Sequence, residues 1–262
     1  FTEKVGNQGR VLTPAGIMET DRALVDDRIG FVISKLERLA FRSTFDPDTA
    51  TGDVAYNLTI VPDEILEPVC ERFDKVRDAG CSFFSGYSFL DRDPRVPSGY
   101  TGILTVCSIT MDGVFQHNGI PVKVAYGGTI QIEHKRPVRF MDIIGYQGST
   151  VDPLQLFIGS GLTSITSYIN TGSGLLLANV RQIPGGAEEH GKSLIEAMQA
   201  CGFRFPLSMG KGRIFNLLTD PHRISLVSFS GMNSIGCAVE AGFRIKTEIG
   251  AGTIPFSRIV DR

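Results

Sequence analysis

An α+β fold made of two copies of one unit is what this 262-residue sequence predicts. Two observations carry the expectation. The order β-α-β-β-α-β can be read twice along the chain, which is the split βαβ pattern of ferredoxin-like folds. Residues 52–62, GDVAYNLTIVP, also return as residues 174–184, GLLLANVRQIP. Gly52 then matches Gly174, Asn57 matches Asn179, Pro62 matches Pro184 and Gly80 matches Gly202, all at one offset.

In the first copy, residues 53–61 are β-branched and aromatic enough to read as a strand. Pro62-Asp63 opens a helix with Ile65, Leu66, Val69, Phe73 and Val76 at helical spacing, and Gly80 stops it. Residues 82–90, SFFSGYSFL, read as a second strand. A loop follows at 92–99, then a third strand at 102–110, GILTVCSIT. A short helix at 111–118 ends at Gly119, and a fourth strand runs from Ile120 to about Tyr126.

The second copy follows the same grammar. Leu175–Gln182 is a strand. A helix after Pro184 puts Ala187, Leu194, Ile195 and Met198 on one face and ends at Gly202. Strands are expected at Phe203–Met209, Arg223–Phe229 and Phe243–Glu248, with a short helix at Met232–Glu240. Ile103, Val106 and Met111 match Ile224, Val227 and Met232, and GGTI at 127–130 echoes AGTI at 251–254.

Outside the copies, Val25–Ser43 carries Ile29, Val32, Ile33, Leu36, Leu39 and Ala40 at the spacing of an amphipathic helix. Residues 5–16, VGNQGRVLTPAG, read as strand, turn, strand and the start of a helix. That order fits either a plain hairpin or the end of a winged-helix wing. The expected organisation is a winged-helix remnant and linker at 1–24, then a first unit with its leading helix at 25–134. A connector at 135–164 follows, where Asp152-Pro153 marks a helix start, and a second unit covers 165–262.

Composition excludes several classes. A net charge of -2 gives no basic field for nucleic acid or anionic membrane. No apolar run approaches the roughly 18–20 residues of a membrane span. No signal peptide is expected, and a start at Phe1 reads as a piece of something longer. Five cysteines without CxxC spacing argue against a disulfide framework and a structural zinc site, and make a reducing cytoplasm the simplest location.

No HExxH, P-loop or nucleophile elbow is present, and the four histidines have no metal-ligand spacing. Cys107 lies in what reads as a strand without a neighbouring base, so it fits a buried thiol better than a nucleophile. Catalysis and cofactors are therefore not expected, and ligand binding is. In strand 174–182, Leu176, Ala178 and Val180 alternate with Asn179 and Arg181, which should lie on the face away from the helices. Arg181 is the lone charge in that strand, and its planar fork suits a ligand carboxylate or a salt bridge to a neighbouring acid. Gly127 and Gly128 offer backbone N–H groups to an anion, or form a plain bulge.

DRIGFVISKLERLAFRSTFD at 27–46, TVCSITMDGV at 105–114, NGIPVKVAYGG at 118–128, RPVRF at 136–140, GSTVDPLQLF at 148–157 and ANVRQIP at 178–184 together resemble the regulatory domain of NrpR, the archaeal nitrogen-assimilation repressor. The resemblance spans roughly residues 12–250. It implies a winged-helix region just before this chain that meets operator DNA. It also implies a homodimer and an effector, 2-oxoglutarate, whose binding releases the operator. Carried onto the matching segments, it implies effector contacts at Cys107, Ser108, Thr110, Gly127, Gly128, Arg139, Asn179 and Arg181. The 92–99 loop has no counterpart, and the second copy reads SFSGMNSIG where the first reads CSITMDGVF. Alternative readings are a small-molecule enzyme using Cys107 and a purely architectural dimerisation module.

Overall fold

A computed structural model describes residues 2–4, 6, 9–14, 16–17, 31–90 and 93–260. The chain begins with a hairpin of β1 (Thr2–Lys4) and β2 (Arg10–Leu12), paired antiparallel. Residues 25–30 of the expected amphipathic helix lie outside the described residues. Its remainder is α1 (Val32–Arg42), which buries Leu36, Leu39 and Ala40 on one face.

The first half then runs β3 (Asp53–Pro62), a 3₁₀ turn, α2 (Leu66–Asp78), β4 (Tyr87–Leu90), β5 (Tyr100–Val106), α3 (Ile109–His117) and β6 (Lys123–Glu133). The expected connector holds a strand of its own, β7 (Arg136–Gly145), and two short helices, α4 (Pro153–Gly159) and α5 (Ile165–Thr171). The second half runs β8 (Gly174–Pro184), α6 (Glu188–Ala200), β9 (Ser208–Lys211), a small hairpin of β10 (Arg213–Ile214) and β11 (Leu217–Leu218), β12 (Arg223–Phe229), α7 (Asn233–Glu240), β13 (Lys246–Pro255) and α8 (Ser257–Val260).

Mixed helices and antiparallel sheets make this an α+β fold, as expected. The pairing between the halves was not expected. One sheet has the order β13-β3-β5-β4 and the other β7-β6-β8-β12-β9. The last strand of each half therefore sits beside the first strand of the other half. β13 pairs with β3, and β6 pairs with β8. Residues 25–134 and 165–262 thus do not each close a sheet of their own. The helices also cross over: α2 packs on α7, and α3 on α6.

This exchange explains two shortened elements. Strand is observed at 87–90 and 208–211, not from 82 and 203. The missing halves meet each other instead. Phe84 and Phe203 form an isolated antiparallel bridge, and Arg204 N–H donates to Phe83 O at 2.8 Å. Around that bridge Phe45, Phe83, Phe84, Phe203, Phe205 and Phe256 form one aromatic cluster. Edge-to-face and offset rings of this kind stabilise beyond the area they bury.

Register corrects part of the internal alignment. Tyr56 and Ala178 occupy the same place in the two echoed strands. Tyr56 pairs with Val106, and Ala178 with Phe229. Val106 therefore corresponds to Phe229, and Ile103 to Leu226, rather than to Val227 and Ile224. A slip of two residues preserves the in-out alternation of a strand, so the hydrophobic pattern cannot detect it.

Both faces of β8 are covered. The strand is buried from Leu176 to Ile183, so the expected open face does not exist. Leu176, Ala178 and Val180 belong to one cluster with Ile130, Phe140 and Phe229. Leu177 belongs to another, with Leu154, Phe157 and Met232. The repeated glycines have a steric cause. A Cβ on Gly52, whose φ is +91°, would strike Thr44 O, and one on Gly174 would strike Ser164 O.

Shared strands should make the two sheets one cooperative unit. Urea unfolding followed by far-ultraviolet circular dichroism and by tyrosine fluorescence is expected to give one coincident transition. Two separated midpoints would show halves that fold independently. Gly52→Ala is expected to lower the midpoint, by about 2 kcal/mol or more in stability, because both the φ and the space are wrong for a side chain.

Candidate functional site

The turn that follows each third strand is built alike. Cys107 N–H donates to Ala55 O at 2.8 Å, and Ser230 N–H to Leu177 O at 3.0 Å. Thr110 Oγ1 accepts from Ala55 N–H at 3.0 Å, and Asn233 Oδ1 accepts from Leu177 N–H at 2.8 Å. By these bonds Cys107-Ser108 corresponds to Ser230-Gly231, and Ile109, not Met111, corresponds to Met232. Cys107 consequently leaves β5 and sits in the turn into α3, not inside a strand.

The two turns approach each other closely. A Cβ on Gly231 would lie 2.6 Å from Val106 O, so only glycine fits there. Beside this crossing is a small cavity. Cys107, Ser108, Ser230 and Gly231 come from the turns, and Asn57 and Asn179 from the two echoed strands. Arg181, Tyr146, Asp152 and Ile249 complete its polar and outer walls. About 10 Å³ is open to the centre of a water molecule, room for one water at most.

Its electrostatics centre on Arg181, which is 1% exposed. Arg181 Nε donates to Asp112 Oδ1 at 2.9 Å and Oδ2 at 3.1 Å. Nη2 donates to Ser108 Oγ at 3.3 Å, and the guanidinium lies 5.9 Å from the Tyr146 ring centre. Nη1 is buried without a hydrogen-bond partner. Burial opposes the Arg181 charge, but Asp112 and Tyr146 outweigh it and hold the group above its ordinary value. Burial pushes the Asp112 carboxyl up, against the pull of the guanidinium.

The asparagines are held by different partners. Asn57 Oδ1 accepts from Gly250 N–H at 3.1 Å, in the bulge of β13. Asn179 Oδ1 accepts from Tyr146 Oη at 3.2 Å, and its Nδ2 donates to Ser108 Oγ at 3.4 Å. Asp152 Oδ1 caps α4 by accepting from Leu154 N–H at 2.8 Å. Leu36, Asp152 and Ile249 also line a larger outer groove with Lys35, Arg38, Lys246 and Glu248. That groove adjoins the cavity through these three residues.

Of the residues expected at the site, Cys107, Ser108, Asn179 and Arg181 converge on the cavity. Thr110 lies in the first turn of α3, where it bonds β3. Gly127 and Gly128 sit in the centre of β6, paired on both sides with β7 and β8. Gly128 lacks space for a Cβ because of Asp142 O, and Gly127 packs against Pro153, Leu154 and Tyr146. Arg139 is exposed on β7, where its Nε donates to Gln131 Oε1 at 2.8 Å.

A family model described as NrpR regulatory domains NRD1 and 2 matches residues 29–261. The chain belongs to that family. A global nitrogen regulator NrpRI of Methanosarcina mazei is 35% identical over all of this chain and 80% of its own length. Global nitrogen regulators NrpR of Methanococcus maripaludis and Methanocaldococcus jannaschii are 28% and 26% identical, over 93% and 94% of this chain. The chain spans 43% of each of those two relatives. These relatives are named as regulators, not as enzymes. A crystal structure of a nitrogen repressor-like protein from Methanococcus jannaschii shares the fold, with TM-score 0.74 and 22% identity over 88% of this chain and 98% of that one.

In this NrpR-family chain, sequence reasoning missed Asn57, Tyr146, Asp152 and Ser230 as cavity groups, and Asp112 as the partner of Arg181. Asn57 was visible as the twin of Asn179. Asp112 was also findable, because four residues after Ser108 on a helix it shares that residue's face. Tyr146 carried no signal, since it is placed by β7, a strand the sequence reading did not contain.

The Arg181–Asp112 pair revises what truncation should do. Arg181→Ala leaves Asp112 buried without its cation, and is expected to destabilise by about 3–5 kcal/mol in urea unfolding. Arg181→Met with Asp112→Leu should recover much of that loss. A stable single variant would mean that Asp112 finds another partner. Cys107 is fully enclosed and its thiol is pushed up to about 12 by burial. It is expected to resist a thiol reagent at neutral pH while half-buried Cys70 and Cys201 react. Rapid labelling of Cys107 in the folded protein would contradict that burial.

Proposed function

We propose that this chain is the effector-sensing region of a nitrogen-responsive transcriptional repressor, and that 2-oxoglutarate is the effector. The observation that carries the reading is the unpaired Nη1 of buried Arg181. A guanidinium facing an enclosed cavity among hydroxyls and amides suits a carboxylate. Ser108, Asn179, Ser230 and Asn57 supply neutral polar groups around it. The family membership and the names of the relatives, global nitrogen regulators, support the nitrogen role.

The two halves read as ferredoxin-like units with exchanged fourth strands. Supporting this, each sheet contains the strand order fourth, first, third, second, with the fourth taken from the other half. The copies delimited at 25–134 and 165–262 are then sequence units, and the sheets are shared products of both. A cavity this small admits 2-oxoglutarate only by opening. Its outer wall includes Leu36 of α1, the helix that follows the N-terminal region. Opening the cavity would thereby reposition α1, and effector binding would favour one arrangement of the regulator over another. The reading also includes a homodimer in the cytoplasm, and operator DNA met through a winged-helix region of which β1 and β2 would be the wing.

The enzyme alternative is weaker. Among the described residues no side chain bonds Cys107 as a base, and burial holds its thiol protonated. Calorimetry with 2-oxoglutarate tests the proposal, with succinate and citrate as comparators. The expected result is one saturable binding event per chain, weakened at least tenfold by Asn179→Asp, which sets a carboxylate beside Arg181. No heat at millimolar effector, or an affinity indifferent to Asn179→Asp, would remove 2-oxoglutarate from this cavity.

A further inference from the structure

The charges around the cavity do not balance for a dianion. Arg181 is the sole cation among its lining residues. That charge is already matched by Asp112, which holds Nε in a forked contact. A second acid, Asp152, lines the same cavity and is only 7% exposed. No ion pair reaches it among the described residues. Its side chain caps its own helix, accepting from Leu154 N–H. A dicarboxylate entering with Asp152 ionised would place three uncompensated negative charges in one closed space. Charges so buried are sustained only when paired.

Given the reading above, that a dicarboxylate binds here, we infer that it binds together with a proton and that Asp152 receives the proton. Asp152 then presents a neutral carboxyl, a donor as well as an acceptor, to the ligand. The fourteen lining positions contain no other carboxylate. The groups facing Asp152 come from every packed element. Lys35 approaches from α1, but its Nζ is committed to Ile249 O at 2.8 Å and Glu248 at 3.4 Å. Arg181 faces it from β8, Tyr146 and Cys107 from the cavity wall, and Arg38 of α1 with Lys246 and Glu248 from the outer groove. Asp112 acts from α3 through Arg181. Burial already pushes the Asp152 carboxyl up, while the Leu154 and Gln155 N–H groups, Arg181 and Lys35 pull it down. A dianion nearby pushes it further in the same upward direction.

The sign follows. A group whose value rises on binding takes up a proton, and the ligand then binds more tightly as pH falls. The probe is 2-oxoglutarate, whose carboxyls stay ionised over the range used. Calorimetry from about pH 6 to about pH 8.5, in buffers of differing ionisation heat, should show close to one proton taken up. Affinity should weaken about tenfold per pH unit at the alkaline end. Asp152→Asn keeps a capping oxygen for α4, so the fold is retained. It is expected to bind without proton uptake and with flat pH dependence. Wild-type binding that takes up no proton at any pH would overturn the inference, as would a pH slope that persists in Asp152→Asn. If 2-oxoglutarate fails to bind at every pH, the functional reading itself falls and takes this inference with it.

Discussion

The pairing of β13 with β3 and of β6 with β8 is the constraint on which the rest of the molecule depends. A four-stranded sheet needs its fourth strand beside its first, and here that strand comes from the other half of the chain. Neither sheet can be completed by one half alone. The crossing points then fall in the middle of the molecule, where strands from both halves are buried on both faces. A polar side chain placed on β3 or β8 has no solvent to turn to. It must find its partners inside the protein, and because both halves meet here Asn57, Asn179 and Arg181 come to line one cavity.

Approximate symmetry brings the groups together, and departures from it give them chemistry. Asn57 and Asn179 occupy the same place in their strands, as Cys107-Ser108 and Ser230-Gly231 do in their turns. At Thr59 and Arg181 the halves part. Thr59 Oγ1 meets Thr247 Oγ1 at 3.1 Å, an arrangement with no charge to compensate. Arg181 brings a charge, and α3 supplies Asp112 where α7 has Ile235. The pair is internally consistent: an unpaired guanidinium or an unpaired carboxylate at this depth would be strongly unfavourable. The buried ion pair thus joins the two halves, Asp112 from the first and Arg181 from the second, and Gly231 of the second lets the two turns pass.

The sequence exposed this arrangement unevenly, for physical reasons. Helices were legible because period, proline start and glycine stop agree; α2 and α6 begin and end close to where Pro62, Gly80, Pro184 and Gly202 indicate. Central strands were legible from their β-branched runs. Strand partners were not, because the alternation in β6 and β13 is satisfied equally by either half. For the same reason the two-residue slip between Val106 and Phe229 was invisible. Arg181 was legible as an anomaly, a charge in an apolar strand, but its partner is a long-range fact. Gly127 and Gly128 illustrate the reverse: glycine pairs that suggest an anion cradle serve here to let β6 pass close to Asp142, Pro153 and Tyr146.

The bulge of β13 connects these strands to the surface. Gly250 N–H holds Asn57 inside, while Ile249 O accepts from Lys35 of α1 and Ala251 O accepts from Arg95 at 2.9 Å. Three consecutive residues therefore face the cavity, the leading helix and the 93–99 loop. A bulge is the one place in a strand where backbone groups are released from the ladder and can be given to side chains. Any change in Asn57 caused by a group entering the cavity must be passed to a peptide whose neighbours hold α1 and Arg95. The exchange of strands, which looks at first like a matter of topology, thus places a piece of the second half between the cavity and α1.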